Sequence, residues 1–297
     1  MARAAYVGSR SREGRITVNM NPGNQPSRRN NSNTDARRAL VPYGSISYFT
    51  QDGWSDYDSM QLRLNRRFSN GWMLNTNYTA SKTAGATLGL IPYNLPQIED
   101  LVNTSGSRHR LVASWVYQLP DIENNGALNA VFGCWQVTGV YQFQSGGWLS
   151  IESGTDRSLD GLGGDRAVRV DGVPLEPPAG SDQTIRFNGL AFRQADLGTW
   201  GSANAKNIVR NPNATQTNMG IFKNFRFTND MGMQFRAELF NIFNNVNFGG
   251  PNTSVSSGAA LKRKNEKGRT NNATRANYGN ASVSAAVAQP VAIDEIH

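Results

Sequence analysis

Asp58-Ser-Met-Gln-Leu-Arg-Leu-Asn-Arg-Arg-Phe68 and Trp72-Met-Leu-Asn-Thr-Asn-Tyr-Thr-Ala-Ser-Lys82 are joined by only Ser69-Asn70-Gly71. Both runs alternate. Met60, Leu62, Leu64 and Phe68 fall on one face, with Gln61, Arg63, Asn65 and Arg67 on the other. Trp72, Leu74, Tyr78 and Ala80 likewise oppose Asn75, Asn77, Thr79 and Ser81. Side chains of a strand alternate sides, so each run has an oily face and a hydrated face. Each run is also about as long as a tilted strand needs to be to cross a bilayer. The pair is therefore expected to be a hairpin in a membrane β-barrel wall, with lipid outside and water inside.

The alternation recurs along the chain. Leu111, Ala113, Trp115, Tyr117 and Leu119 line one face of a run that ends at Pro120. Trp135, Val137, Tyr141 and Phe143 oppose Gln136, Thr138, Gln142 and Gln144 across 134–145. Met219, Ile221, Phe225 and Phe227 form another face, interrupted by Lys223. Met231, Met233, Phe235, Ala237 and Leu239 oppose Gln234, Arg236 and Glu238. Helical spacing fits these runs poorly. Gln61, Arg63, Asn65, Gln234, Arg236 and Glu238 are thus candidates to face the lumen, where Arg236 and Glu238 would pair or meet other lumen groups. Connections at 69–71 and 228–230 are tight and the one at 121–131 is moderately short, whereas 83–107 and 146–215 are long. Tight turns on the periplasmic side and long loops outside are what a barrel predicts. Aromatics near strand ends (Trp72, Trp115, Tyr117, Trp135, Phe225, Phe227) suit interfacial girdles, or an ordinary sandwich core.

Length allows one large all-β domain or two small ones. Only 38% of the 297 residues are hydrophobic, and no apolar run approaches the roughly 18 residues of a spanning helix. The net charge of +8 reflects a solvated surface with a basic tail, or else a polyanion-binding surface. Cys134 is the single cysteine, expected as a small apolar wall or core residue, so a disulfide within the chain cannot form. Residues 1–10 lack the apolar core of a secretory signal, and Ala4–Gly8 has the character of a strand interior, so the expectation is a start farther upstream. Ala2–Ser9, Ile16–Met20 and Ser45–Thr50 are separate strand candidates around the polar stretch 21–40. From Ser257 the alternation of aromatics ends and a basic cluster, Lys262-Arg263-Lys264, appears, so 257–297 is expected to be disordered or non-homologous.

Little in the sequence points to catalysis. His109 and His297 are the only histidines, and His109 lies between two arginines at a strand start, a poor setting for a Ser-His-Asp triad. Metal sites built on His or Cys lack ligands. Asp156, Asp160, Asp165 and Asp171 in the glycine-rich loop 154–172 are expected to shape turns, with calcium binding as the alternative. No enzyme and no cofactor is expected.

Taken together, several segments resemble a known family. They are Ala5-Tyr-Val-Gly-Ser-Arg10, Tyr57-Asp-Ser-Met-Gln-Leu-Arg-Leu-Asn-Arg-Arg-Phe68, Asn77-Tyr-Thr-Ala-Ser-Lys82, Arg108-His-Arg-Leu-Val-Ala-Ser-Trp115, Trp135-Gln-Val-Thr-Gly139, Phe222-Lys-Asn-Phe225 and Phe235-Arg-Ala-Glu-Leu-Phe-Asn-Ile-Phe-Asn244. They resemble the C-terminal barrel of TonB-dependent outer-membrane receptors of Gram-negative bacteria, of the Oar-like type that carries a carboxypeptidase-regulatory-like domain. The resemblance covers about residues 2–256. It implies a plugged barrel of 22 strands that imports a bulky ligand with energy from the TonB complex. The plug and most strands have no counterpart here, and Ile296-His297 replaces the aromatic end of the family's last strand. The expectation is therefore an incomplete antiparallel transmembrane β-barrel of about eight strands over residues 1–256, with long external loops and the tail 257–297. Its partners would be outer-membrane lipid, an unidentified ligand, and TonB only through the missing plug, with no nucleic acid. A soluble carbohydrate-binding β-sandwich and a surface or adhesive barrel without transport remain the alternatives.

Overall fold

The computed structural model describes residues 1–23, 33–86, 91–92, 103–120, 129, 131–133, 135–181, 186–226, 232–257 and 282–287. Eight strands form the wall: β1 (Ala2–Asn19), β2 (Ser47–Ser69), β3 (Trp72–Ala86), β4 (His109–Gln118), β5 (Trp135–Gln144), β6 (Ala214–Arg226), β7 (Gly232–Phe240) and β8 (Ser282–Val287). Each pairs antiparallel with its neighbour in the chain, giving an up-and-down meander. Ile91–Pro92 runs parallel beside the end of β1, and Asn103–Ser105 adds to β3. Among the described residues the sheet stays open, an incomplete barrel. Asn70 and Gly71 close the β2–β3 hairpin with φ of 51° and 81°. Both angles lie in the left-handed region, where the Asn-Gly pair is at home and its twist matches that of the strands.

Register aligns the oily faces. Ala4, Leu62, Tyr78 and Leu111 follow one another across β1–β4, and Leu64, Thr76 and Ala113 do so one rung away. Among the described residues no second layer covers this face. Tyr6 is 72% exposed and Leu62 39%, and Met60, Leu64 and Phe68 are exposed as well. The buried side chains of the wall include Ser59, Thr217 and Lys223 instead. A β-sandwich would enclose those leucines and aromatics, so the single exposed layer rules that alternative out. The belt is bounded at both ends. Trp72 and Tyr117 sit opposite each other at the short-turn end. At the other end Arg10 pairs with Asp58 at 2.9 Å, and Arg12 meets Asp56. From Trp72 to Lys82, ten rises of roughly 3.3 Å tilted by roughly 40° span about 25 Å, the height of an outer-membrane apolar band.

Lys223 interrupts an oily face for a local reason. Its Nζ donates to the carbonyl of Gly133 at 2.5 Å, and the rings of Trp135 and Phe225 each lie 5.3 Å away. The stem stays in the apolar wall while the ammonium reaches the polar turn below it.

Two expectations about the first seventy residues require correction. Ala2–Ser9 and Ile16–Met20 are not two strands: β1 runs unbroken through Ala2–Asn19, with register shifts on either side of Gly14. A Cβ on Gly53 would lie 2.5 Å from the Gly14 carbonyl oxygen, so the two strands approach there only as glycines. Ser45–Thr50 is likewise no separate strand, because β2 continues from Ser47 to Ser69. Above the hydrocarbon a strand can carry charges, and the Arg10, Arg12, Asp56 and Asp58 pairs extend the ladder where oily alternation stops. Cys134, Met231, Phe227 and the turn 228–230 lie outside the described residues. So does most of 257–297, of which Ser282–Val287 pairs with β7 and Ser257 ends a short helical turn begun at Val255.

Candidate functional site: an external cap

The β2–β3 turn stands at one end of the wall, with β4–β5 and β6–β7 linked at that same end. The connections β1–β2, β3–β4, β5–β6 and the chain beyond β7 all leave from the other. This places 21–23 and 33–40, the described parts of the polar stretch 21–40, at the long-loop end. The β5–β6 connection is not an open loop as length alone suggests. Trp148–Leu149 pairs with Val209–Arg210, and Val168–Arg169 with Phe192–Arg193. Glu152 bridges to both Arg166 and Ser254, drawing the chain after β7 into the same body. Ile151, Ala167, Phe187, Ala191, Phe192, Ala205 and Val209 are its buried core, and the Phe187 and Phe192 rings meet edge to face at 5.9 Å. The wall needs no such core because lipid covers its oily face. The cap stands in water and must bury its own apolar groups.

Turn chemistry carries the chain around this core. Gly201 has φ of 81°, and a Cβ there would lie 1.9 Å from the Arg166 carbonyl oxygen. Three of the loop aspartates, Asp156, Asp160 and Asp165, accept mostly from the loop's own backbone. Asp165 accepts from the amides of Ser158 (2.7 Å) and Arg157, Asp160 from Leu162 N (2.7 Å) and Trp200 Nε1 (3.2 Å), and Asp156 from Gly161 N (2.9 Å). These are the turn-forming contacts expected of them. Among the described residues, no three His, Cys, Asp or Glu side chains gather as a metal site would require. The β1–β2 connection is laced onto this loop. Arg37, itself buried, donates from Nη1 to the Leu159 carbonyl at 2.7 Å, and Gly23 N to that of Asp160 at 2.8 Å. Arg38 holds Asp35 at 2.8 Å.

Burial pushes the Asp165 carboxyl above the usual carboxylate range, partly opposed by the Ser158 and Arg157 amides. A raised folded-state pKa means that the fold binds this proton more tightly than the unfolded chain does. Its stabilising contribution is full in acid and is lost as pH rises through the folded-state value. Cap stability is therefore expected to fall across that window. Asp165→Asn should flatten the dependence, as read by hydrogen exchange of the cap amides at several pH values; an unchanged slope in the variant would assign it to other groups.

A groove of about 510 Å³ runs along the cap. Leu175, Phe187 and Phe248 lie along it, and Glu176, Arg186 and Arg210 bring charge to it. Sequence reading missed these residues. Their apolar members are scattered through a Gly-, Pro- and Asn-rich stretch with neither a two-residue nor a helical period, so no pattern marks them.

The six lumen-facing candidates share the face opposite the oily belt but do not converge. Gln61, Arg63 and Asn65 sit across from Thr79, Asn77 and Asn75 on β2–β3. Four strands, β3 to β6, separate that group from Gln234, Arg236 and Glu238 on β7. Gln234 donates to Asn224 at 2.9 Å, Arg236 Nε to Glu238 at 2.9 Å, and the Arg236 guanidinium lies 5.3 Å from the Phe222 ring centre. The His109 ring contacts Tyr78, and its backbone amide donates to Ser145 Oγ at 2.9 Å.

Comparison with known proteins adds one finding. Residues 1–280 match the family described as the outer membrane beta barrel domain. The match crosses the change of composition at Ser257. No curated relative and no solved structure matches the chain. With a single-layered meander, an exposed oily belt about one outer membrane tall and a match over most of its length, the chain belongs to the outer membrane β-barrel domain family and resides in the outer membrane.

Proposed function

We infer that this chain is part of a TonB-dependent outer-membrane receptor of the Oar-like type, one that binds a bulky ligand outside the cell and imports it with energy supplied through TonB. The observation that carries this reading is the folded cap. A connection that merely closed a wall would not need an aromatic core, short sheet pairs and a groove, and a recess on a rigid external body is where recognition residues are usually carried. The resemblance of Tyr57–Phe68, Arg108–Trp115 and Phe235–Asn244 to that family supports the same reading. Contact with TonB would come through a plug, which the resemblance puts outside the segments matched here.

The test compares cells that carry and lack the gene encoding this chain, measuring which solutes disappear from their medium. A solute should be depleted only when the gene is present, and depletion should stop when an uncoupler collapses the proton gradient. Depletion that persists with the uncoupler would overturn energised import. Identical media from the two strains, with surface attachment lost in the deletion strain, would favour an adhesive barrel.

A further inference from the structure

The cap groove combines apolar side chains with two arginines that no carboxylate among the described residues ion-pairs. Phe187 is 1% exposed beneath it, and Leu175, Ile208 and Phe248 extend the apolar surface. Arg186 and Arg210 border the groove, and Glu176 is the single acidic side chain among its lining residues. Arg210 stacks its guanidinium over Trp148 at 4.0 Å. Stacking uses the flat face of the group and leaves its N–H edges in the plane, directed away from the ring. Neither arginine is ion-paired with a carboxylate among the described residues. Two guanidinium groups against one carboxylate leave a surplus of one positive charge among the groove's described lining residues, beside Leu175, Phe187 and Phe248.

We propose that this groove binds an apolar molecule bearing a single carboxylate. The carboxylate is held by Arg186 and Arg210, and the body lies along Leu175, Phe187 and Phe248. The arginine fork matches a carboxylate through two parallel hydrogen bonds. One negative charge cancels the surplus, whereas a phosphate dianion would overshoot it next to Glu176. The assignment deepens the import reading, on which it rests, by naming the class of ligand.

The experiment uses the full chain in lipid nanodiscs, with empty discs subtracting partition into lipid. Affinities are measured by saturation-transfer NMR for 4-phenylbutyrate, 4-phenylbutanol and 4-phenylbutyl phosphate. A charge-assisted contact gains roughly 1 kcal/mol over a neutral one, so the acid should bind about fivefold more tightly than the alcohol. Arg186→Gln with Arg210→Gln should erase that difference, while Phe248→Ala weakens acid and alcohol alike. If the double variant loses cap amide protection, the exposed Arg186→Gln alone carries the comparison. Equal binding of acid and alcohol, a preference that survives loss of the arginines, or tighter binding of the phosphate would each overturn the assignment. Carboxylate preference without energised solute depletion would sink the import reading and leave the site standing; depletion without the preference would do the reverse.

Discussion

Leu62→Arg should cost about 2–4 kcal/mol of folding free energy in a bilayer, the penalty for an arginine placed near mid-depth on the lipid side of a barrel. Leu62 lies between the Trp72–Tyr117 pair at one boundary and the Arg10–Asp58 pair at the other, on a face that no layer of the described residues covers. A guanidinium there must be dragged to an interface or drag water inward. The adjacent position is the control. Gln61→Arg places the same charge on the opposite face, where Arg63 already stands across from Asn77, and should change stability by less than about 0.5 kcal/mol. Denaturant titration of the two variants in lipid vesicles reads the difference. Equal costs would mean that the two faces meet the same solvent, and the membrane orientation of the wall would be lost.

Phe187→Ala should open the cap while leaving the wall intact. Phe187 is 1% exposed and packs edge to face on Phe192 in the cap's core. Removing a buried phenyl ring costs about 3–5 kcal/mol through lost burial and the cavity left behind. The cap is small, with sheet pairs of only two residues each. A loss of that size is comparable to what such a body can hold in total. Hydrogen exchange should show protection collapsing across 145–213 and persisting in β2–β6, because the wall's ladders do not run through Phe187. Uniform loss in both regions would show that cap and wall unfold as one unit. Unchanged protection in the cap would mean that its core contributes little.

Wall and cap differed in how much the sequence revealed, for one physical reason. In the wall every second side chain meets hydrocarbon, so solvent itself writes a two-residue period into the chain, and Asp58–Lys82 shows it without reference to anything distant. Where β1 and β2 rise past the boundary, both faces meet water and the period fades, although the hydrogen-bond ladder continues. That is why Arg10–Arg15 and Gln51–Tyr57 did not look like strand. The Arg236–Glu238 pair was legible because two residues on one face of a strand are neighbours by geometry alone.

By itself, then, the chain's alternation determined an antiparallel membrane wall, its oily and hydrated faces, its tight β2–β3 turn and the asymmetry of its connections. Only the tertiary structure decided that 145–213 folds into a cap, that Arg37 laces the first long connection onto Leu159, and that Arg186 and Arg210 share one groove with Phe248. These contacts join residues tens of positions apart in a segment without regular secondary structure. No local period encodes them, and they arise only when the chain closes around a shared core.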